Sequence, residues 1–184
     1  MISCIFLLWL TAVLWSPVQG QQPVEIKESV SFWYVYMEFT ESHYLIPEKV
    51  GLFMQEIQRQ ELQSKVQGDL FGIFYDSPVI VEGRGKTWGL GFKIAEDTNV
   101  QQPLKKKLFY YEKIATTVHQ GPFETAANSF NTVISSLEEQ GLEVIGPPVE
   151  IWIGNPAQDK PEELKTEILV PVRAKKDAVP KIVN

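Results

Sequence analysis

Cysteine, histidine and basic residues are scarce in this sequence of 184 residues. It contains one Cys and two His. A structural zinc site usually takes four Cys or His ligands and a disulfide takes two Cys, so neither is expected, and no cofactor is predicted. Lys and Arg number 17 against 23 Asp and Glu, a formal net charge of −6. Nucleic-acid binding needs a basic surface, so DNA and RNA are not expected as partners.

One long apolar run is present, and it lies at the beginning of the sequence. Residues 1–18 read MISCIFLLWLTAVLWSPV and carry no charged side chain. Its apolar core, Ile5–Leu10 extended through Trp15, has the length of the hydrophobic region of a signal peptide. Pro17 would interrupt a helix, and Val18 and Gly20 place small residues before a cleavage site. We therefore predict a signal peptide over residues 1–20 and export of the protein, to the periplasm or by secretion. The alternative is an uncleaved membrane anchor formed by residues 1–18, which are just enough to span a bilayer.

The rest of the sequence contains a repeated pattern. The segment that begins at Gly68 (GDLFGIFYDSP) aligns with the one that begins at Gly146 (GPPVEIWIGNP), and each follows a helical pattern and an apolar strand. We therefore predict two strand–helix–strand–strand units, over about residues 31–95 and 108–173. They form one domain over residues 24–174, followed by a basic tail over residues 175–184.

Hydrophobic periodicity locates the elements of both units. Pro47 and Pro122 each suit the first turn of a helix, and Gly141 suits the end of the second helix. Apolar residues at helical spacing follow each proline, which predicts one buried face per helix. Runs of β-branched and aromatic residues predict strands over residues 32–39, 70–75, 88–94, 108–119, 149–153 and 166–172.

These elements predict an α+β fold, an antiparallel sheet with both helices on one face. The other face would then be open and concave. Four aromatic residues on the strands are candidates for that face, although Trp33 and Phe74 also suit an ordinary core: Trp33, Phe74, Trp88 and Trp152. An exposed apolar concavity usually binds a ligand or a partner.

Three segments of the second unit resemble the GyrI-like family, the effector-binding domain of some AraC- and MerR-type regulators. They are IATTVHQGPFE from Ile114, GPPVEIW from Gly146 and TEILVPV from Thr166. The resemblance implies a pocket between the two units for flat, hydrophobic, often cationic small molecules. It also implies that an acidic residue on the last strand, here Glu167, meets the positive charge of the ligand. The regulators carry a helix-turn-helix domain, for which the roughly thirty residues before the first strand are too few.

The candidate ligand-binding residues are Glu167, Trp152, Trp88, Leu169 and Tyr75. Alternation along the strands predicts that Glu167, Leu169 and Trp152 all point to the open side. Glu167 could instead pair with a Lys or face solvent, and His119 is expected to be structural.

Three functions remain open at this point. The first is an exported protein, expected to be monomeric, that binds a hydrophobic or cationic aromatic molecule. The second is a hydrolase that uses Glu167, alone or with Tyr75 or Tyr111, against strained electrophilic toxins. The third is a protein-interaction module anchored in a membrane by residues 1–18.

Overall fold

The computed structural model describes residues 22–76 and 87–176. The predicted leader, most of the segment between the strands predicted over residues 70–75 and 88–94, and most of the basic tail lie outside these ranges. The strands are β1 (Glu25–Thr40), β2 (Val66–Phe74), β3 (Thr87–Ile94), β4 (Lys105–Gln120), β5 (Leu142–Val144), β6 (Val149–Ile153) and β7 (Lys165–Ala174), and the helices are α1 (Ile46–Arg59) and α2 (Ala126–Glu139). The six predicted strands are confirmed, β1 begins seven residues earlier than predicted, and the short β5 was not predicted.

The sheet closes into a barrel. In the described ranges its strand order is β4-β1-β3-β2-β6-β7, every pairing is antiparallel, and β4 also pairs with β7. Closure is achieved by the long strand β4, because residues 105–116 pair with β1 while residues 114–120 pair with β7. The predicted open, concave face is therefore replaced by the interior of a six-stranded barrel, since pairing the two edge strands satisfies their backbone groups.

Both helices form where the sequence predicts them. Pro47 lies in the first turn of α1, and a three-residue 3-10 helix after Pro122 leads into α2. The chain leaves α2 through Gly141, whose φ of 66° is a conformation that glycine adopts without strain. No helix in the described ranges is long and apolar enough to cross a membrane.

Each helix covers part of the outside of the barrel, which we call the outer face. Under α1, the helix residues Phe53 and Ile57 pack against the strand residues Val35, Phe74, Trp88 and Leu90. Under α2, Phe130, Val133 and Leu137 pack against Ala115, Ile168, Val170 and Val172. The interior, which we call the inner face, is formed by the alternate residues of the same strands: Tyr34, Phe71, Ile73, Phe109, Ile114, Val149, Ile151 and Leu169.

Ser29 changes which residues of β1 face the interior. Its φ of 55° is left-handed and interrupts the alternation of the strand. Before it, Lys27 is opposite Ile114; after it, Val30 is opposite Tyr111. Because Ile114 and Tyr111 both belong to the inner cluster, Lys27 and Val30 both lie on the inner side of β1.

Candidate ligand-binding site

The inner face contains a pocket of about 200 Å³. It lies beside the part of β4 that does not pair with β7, between that strand, β1, β2 and the start of β6. Its walls are formed by Phe32, Tyr34, Phe71, Ile73, Lys107, Leu108, Phe109, Tyr110, Tyr111, Pro147 and Val149. Six of these eleven residues are aromatic, so the pocket is suited to a small, flat, apolar molecule.

The aromatic rings hold one another in place. Phe32 stacks on Phe109 with centroids 4.6 Å apart and planes 11° apart, and Phe71 meets Phe32 edge-on at 6.1 Å. Tyr34 also meets Phe71 edge-on, at 5.8 Å. Offset stacking and edge-to-face contacts are the favoured arrangements of aromatic pairs. The pocket therefore presents both ring faces and ring edges from side chains that are already packed.

Three tyrosines give the pocket and its surroundings neutral polar groups. The hydroxyls of Tyr34 and Tyr75 hydrogen-bond to each other, and Tyr111 lines the pocket. Burial raises the pKa of each of these phenols above its ordinary value. Nearby tyrosines add to the effect for Tyr34 and Tyr75, and the negative charge of Glu38 adds to it for Tyr75. All three are therefore protonated at neutral pH and can donate a hydrogen bond.

Lysines stand next to these rings. Tyr34 is opposite Lys93 of β3 and opposite Lys107 of β4, so the three side chains share one face of the sheet. The Nζ atom of Lys93 lies 4.8 Å from the centroid of Phe32, at cation–π distance. Lys107 itself lines the pocket. These two lysines therefore place positive charge beside the aromatic pocket.

Of the predicted site residues, Glu167, Leu169 and Tyr75 lie on the inner side of the barrel. Leu169 is buried and Tyr75 packs against the inner cluster. Glu167 forms an ion pair with Lys27 at 3.1 Å and accepts a 3.5 Å hydrogen bond from the Thr116 hydroxyl. The alternative prediction for Glu167, that it pairs with a lysine, is thus confirmed. Glu167 is not among the residues that line the pocket.

Trp152 does not share a face with Glu167, and that prediction was wrong. In the register of β6 and β7, Ile151 is opposite Glu167, whereas Trp152 is opposite Thr166. Trp152 therefore lies on the outer face, where its ring is 6.3 Å from that of Phe123. Alternation within one strand does not give the offset between two strands, and an error of one residue moves a side chain to the opposite face.

Trp88 is also on the outer face. It is fully buried under α1, and its indole nitrogen donates a 2.9 Å hydrogen bond to the carbonyl of Glu41. Phe74 is buried in the same cluster and Trp33 packs against it. Trp33 and Phe74 thus belong to the core under α1, as the alternative interpretation of these two residues held, and Trp88 and Trp152 lie on the same outer face. The sequence neighbours Phe32, Tyr34 and Ile73 line the pocket.

Glu150 is a polar residue of the outer face that the sequence reasoning did not single out. It lies between Gly72 of β2 and Ile168 of β7, and one of its carboxylate oxygens accepts a 3.4 Å hydrogen bond from the indole of Trp152. Burial raises its pKa to about 7, although the hydrogen bond from Trp152 acts in the opposite direction. A charged residue inside the apolar strand VEIWI was the available signal.

His119 connects β4 to α2, as expected of a structural residue. Thr125 donates its hydroxyl proton to the carbonyl of Pro122 at 2.7 Å, so its oxygen accepts from Nε2–H of His119, also at 2.7 Å. Nδ1 then accepts from the Ser129 hydroxyl at 2.9 Å. Burial lowers the pKa of this imidazole, which is neutral in this arrangement.

In the described ranges, no cluster of His, Cys, Asp and Glu side chains could hold a metal ion.

A family model described as a GyrI-like small molecule binding domain matches residues 22–173. The chain belongs to the GyrI-like family. No curated protein sequence gives a significant match.

Solved structures show that the GyrI-like fold is shared at low sequence identity. The EcmrR C-terminal domain has a TM-score of 0.71 at 13% identity, over 83% of this chain and 98% of that one. A hydrolase from Listeria innocua has a TM-score of 0.59 at 14% identity, over 84% and 93%. SAV2435, solved with bound tetraphenylphosphonium, has a TM-score of 0.52 at 16% identity, over 83% and 94%. At these identities, the likeness is one of fold.

Proposed function

We propose that this protein binds a hydrophobic aromatic small molecule in the inner-face pocket. The observation that carries the proposal is the wall of six aromatic residues around a space of about 200 Å³, in a domain of a small-molecule-binding family. Pockets for drug-sized ligands usually measure roughly 300–1,000 Å³, so the ligand is expected to be smaller, of the size of one or two fused rings. Apolar walls supply affinity in proportion to the ring area that they remove from water.

Binding is proposed ahead of hydrolysis because of the chemistry of the walls. Among the described residues that line the pocket there is no carboxylate, imidazole, hydroxyl of Ser or Thr, or thiol. Tyr111 is protonated, and Glu167 is engaged by Lys27. General-base catalysis needs a group that can accept a proton within hydrogen-bond reach of the substrate.

A cationic aromatic ligand is the second candidate, and two observations favour it. Glu167 lies on the inner side of the barrel, and SAV2435 was solved with tetraphenylphosphonium. For Glu167 to contact such a cation, its ion pair with Lys27 would have to break.

We also propose that the protein is exported through residues 1–20, on the basis of the leader sequence.

The proposal is tested by filling the pocket. Val149 is buried in the pocket wall, and Val149→Phe places a ring in the space that the ligand would occupy. Val144→Phe is the matched control, since Val144 is an exposed residue of β5 outside the pocket. A bicyclic aromatic probe should raise the melting temperature of the wild type and of the control. The shift should disappear in Val149→Phe.

A second measurement covers the case in which Val149→Phe does not fold. In methyl NMR spectra of the wild type, the probe should change the signals of Ile73 and Val149, which line the pocket, and leave Val170 on the outer face unchanged. Saturable binding that perturbs Val170 and not Ile73 would place the ligand elsewhere. Absence of binding by any aromatic probe would refute the proposed function.

A further inference from the structure

We infer that the pocket selects aromatic molecules that carry a negative charge. The inference rests on the proposed function and reverses the ligand charge expected from the family resemblance. It follows from the side chains that surround the aromatic walls, which are basic where a site for cations would need to be acidic.

Two lysines flank the tyrosine at the wall of the pocket. Tyr34 lies between Lys93 and Lys107 in the sheet, on one face. Lys107 lines the pocket, and Lys93 lies 4.8 Å over the ring of Phe32, which also lines it. A flat anion that contacts Tyr34 or the edge of the Phe32 ring would therefore place its charge near at least one of the two ammonium groups. A cation in the same position would be repelled by both.

Two carboxylates on the same side of the barrel, those of Glu38 and Glu167, are paired with other lysines. Glu38 forms an ion pair with Lys105 at 3.3 Å. Glu167 forms one with Lys27 at 3.1 Å and does not line the pocket. Both of these carboxylates thus have a lysine partner that is neither Lys93 nor Lys107. Lys93 and Lys107 are left as the charges that face the rings, and neither is in an ion pair among the described residues.

The polar groups in the wall are also donors. Tyr34 and Tyr111 are protonated phenols at neutral pH, because burial raises the pKa of both. A carboxylate can accept hydrogen bonds from a phenol and from an ammonium group together, and such charge-assisted bonds are stronger than neutral ones. For a cation the wall offers ring faces and phenol oxygens but no carboxylate.

The experiment compares three probes with the same ring system on the full chain. 2-Naphthoate is the anion, 2-naphthalenemethanol the neutral probe and 2-naphthylmethylammonium the cation, and affinities are measured by calorimetry. The wild type should bind the anion about tenfold or more tightly than the alcohol, and the cation most weakly. The variants are Lys93→Gln, Lys107→Gln and the double substitution. Lys65→Gln, an exposed lysine between α1 and β2, is the matched control.

The double variant should lose the preference for naphthoate and keep its affinity for the alcohol to within about twofold, and Lys65→Gln should change neither. If the wild type binds the alcohol and the anion equally, or the cation best, the inference is wrong while the pocket and the proposed function stand. If none of the three probes binds, the proposed function fails with it. If the double variant loses affinity for all three probes equally, the two lysines contribute to the structure of the pocket and do not select the ligand by its charge. That result would also overturn the inference.

Discussion

The two faces of the barrel wall are made from the same strands and differ in chemistry. On the outer face, aliphatic and aromatic residues pack under α1 and α2, and two titratable groups there, Glu150 and His119, have pKa values shifted toward their neutral forms. On the inner face, phenylalanines and tyrosines surround a pocket, and lysines stand beside the rings. Neighbouring residues of one strand lie on opposite faces: Phe74 is in the core under α1, while Ile73 lines the pocket.

Because the two faces differ, residues of the same strand can serve different purposes, some stabilising the fold and others binding a ligand. Burial against the helices removes many outer-face side chains from water, and such burial is the main source of folding free energy. The inner face keeps unfilled space, which costs packing contacts and is of use to a ligand. Substitutions on the outer face should therefore act on stability, and those on the inner face on affinity.

The largest effect is expected from removing an outer-face ring. Phe53→Ala deletes a fully buried side chain under α1 and leaves a cavity, so the free energy of unfolding should fall by about 3–5 kcal/mol. Leu52→Ala, on the same helix with Leu52 42% exposed, should cost less than about 1 kcal/mol. Urea denaturation measures both. Equal losses in the two variants would contradict the assignment of this face as the core.

A smaller effect, dependent on pH, is expected from Glu150→Gln. The folded-state pKa of Glu150 is raised from its usual 4.5 to about 7, so the fold prefers the protonated acid. Its contribution is fully present below pH 4.5 and is lost as the pH rises through about 7. The variant, which cannot ionise, should match the wild type near pH 4 and exceed its stability by about 1–3 kcal/mol at pH 8. Denaturation curves at several pH values measure the difference.

The titration of His119 affects the pH dependence of stability in the opposite direction to that of Glu150, so the two contributions must be measured separately. Because burial lowers its pKa, its contribution is present above 6.5 and is lost as the pH falls below that value. The difference between Glu150→Gln and the wild type cancels this effect, since His119 is present in both. Glu162→Gln, the same substitution at an exposed position, is the matched control. A Glu150→Gln difference that stays constant from pH 4 to pH 8 would show that Glu150 is not held protonated.

The smallest effect is expected from an inner-face hydroxyl. Tyr34→Phe removes the hydroxyl that bonds Tyr75 and borders the pocket, and it should weaken naphthoate binding by about two- to tenfold. Trp152 was a candidate ligand-binding residue, but Trp152→Phe should change the affinity by less than about twofold because Trp152 lies on the outer face. Calorimetry on the two variants tests the comparison directly. A larger loss in Trp152→Phe than in Tyr34→Phe would reverse the roles of the two faces.

The elements and the family were accessible from the sequence because they depend on local patterns. Pro47, Pro122 and Gly141 mark helix ends through their own backbone preferences, and the apolar stripe of α2 follows from helical spacing alone. Three short segments, from Ile114, Gly146 and Thr166, were enough to indicate the GyrI-like family. The inner position of Glu167 and Leu169 also followed from alternation within a single strand.

Tertiary structure decided the closure of the sheet and the composition of the pocket. Whether β4 pairs with one strand or with two depends on contacts between residues about fifty positions apart. No local sequence pattern predicts such contacts. The offset between β6 and β7 moved Trp152 to the outer face, and the left-handed Ser29 brought Lys27 to the inner side of β1, where it meets Glu167. The sequence by itself determined which residues form strands and helices, because those preferences are local. Only the fold decided which charges stand beside the aromatic rings, because register and closure are properties of strands brought together from distant parts of the chain.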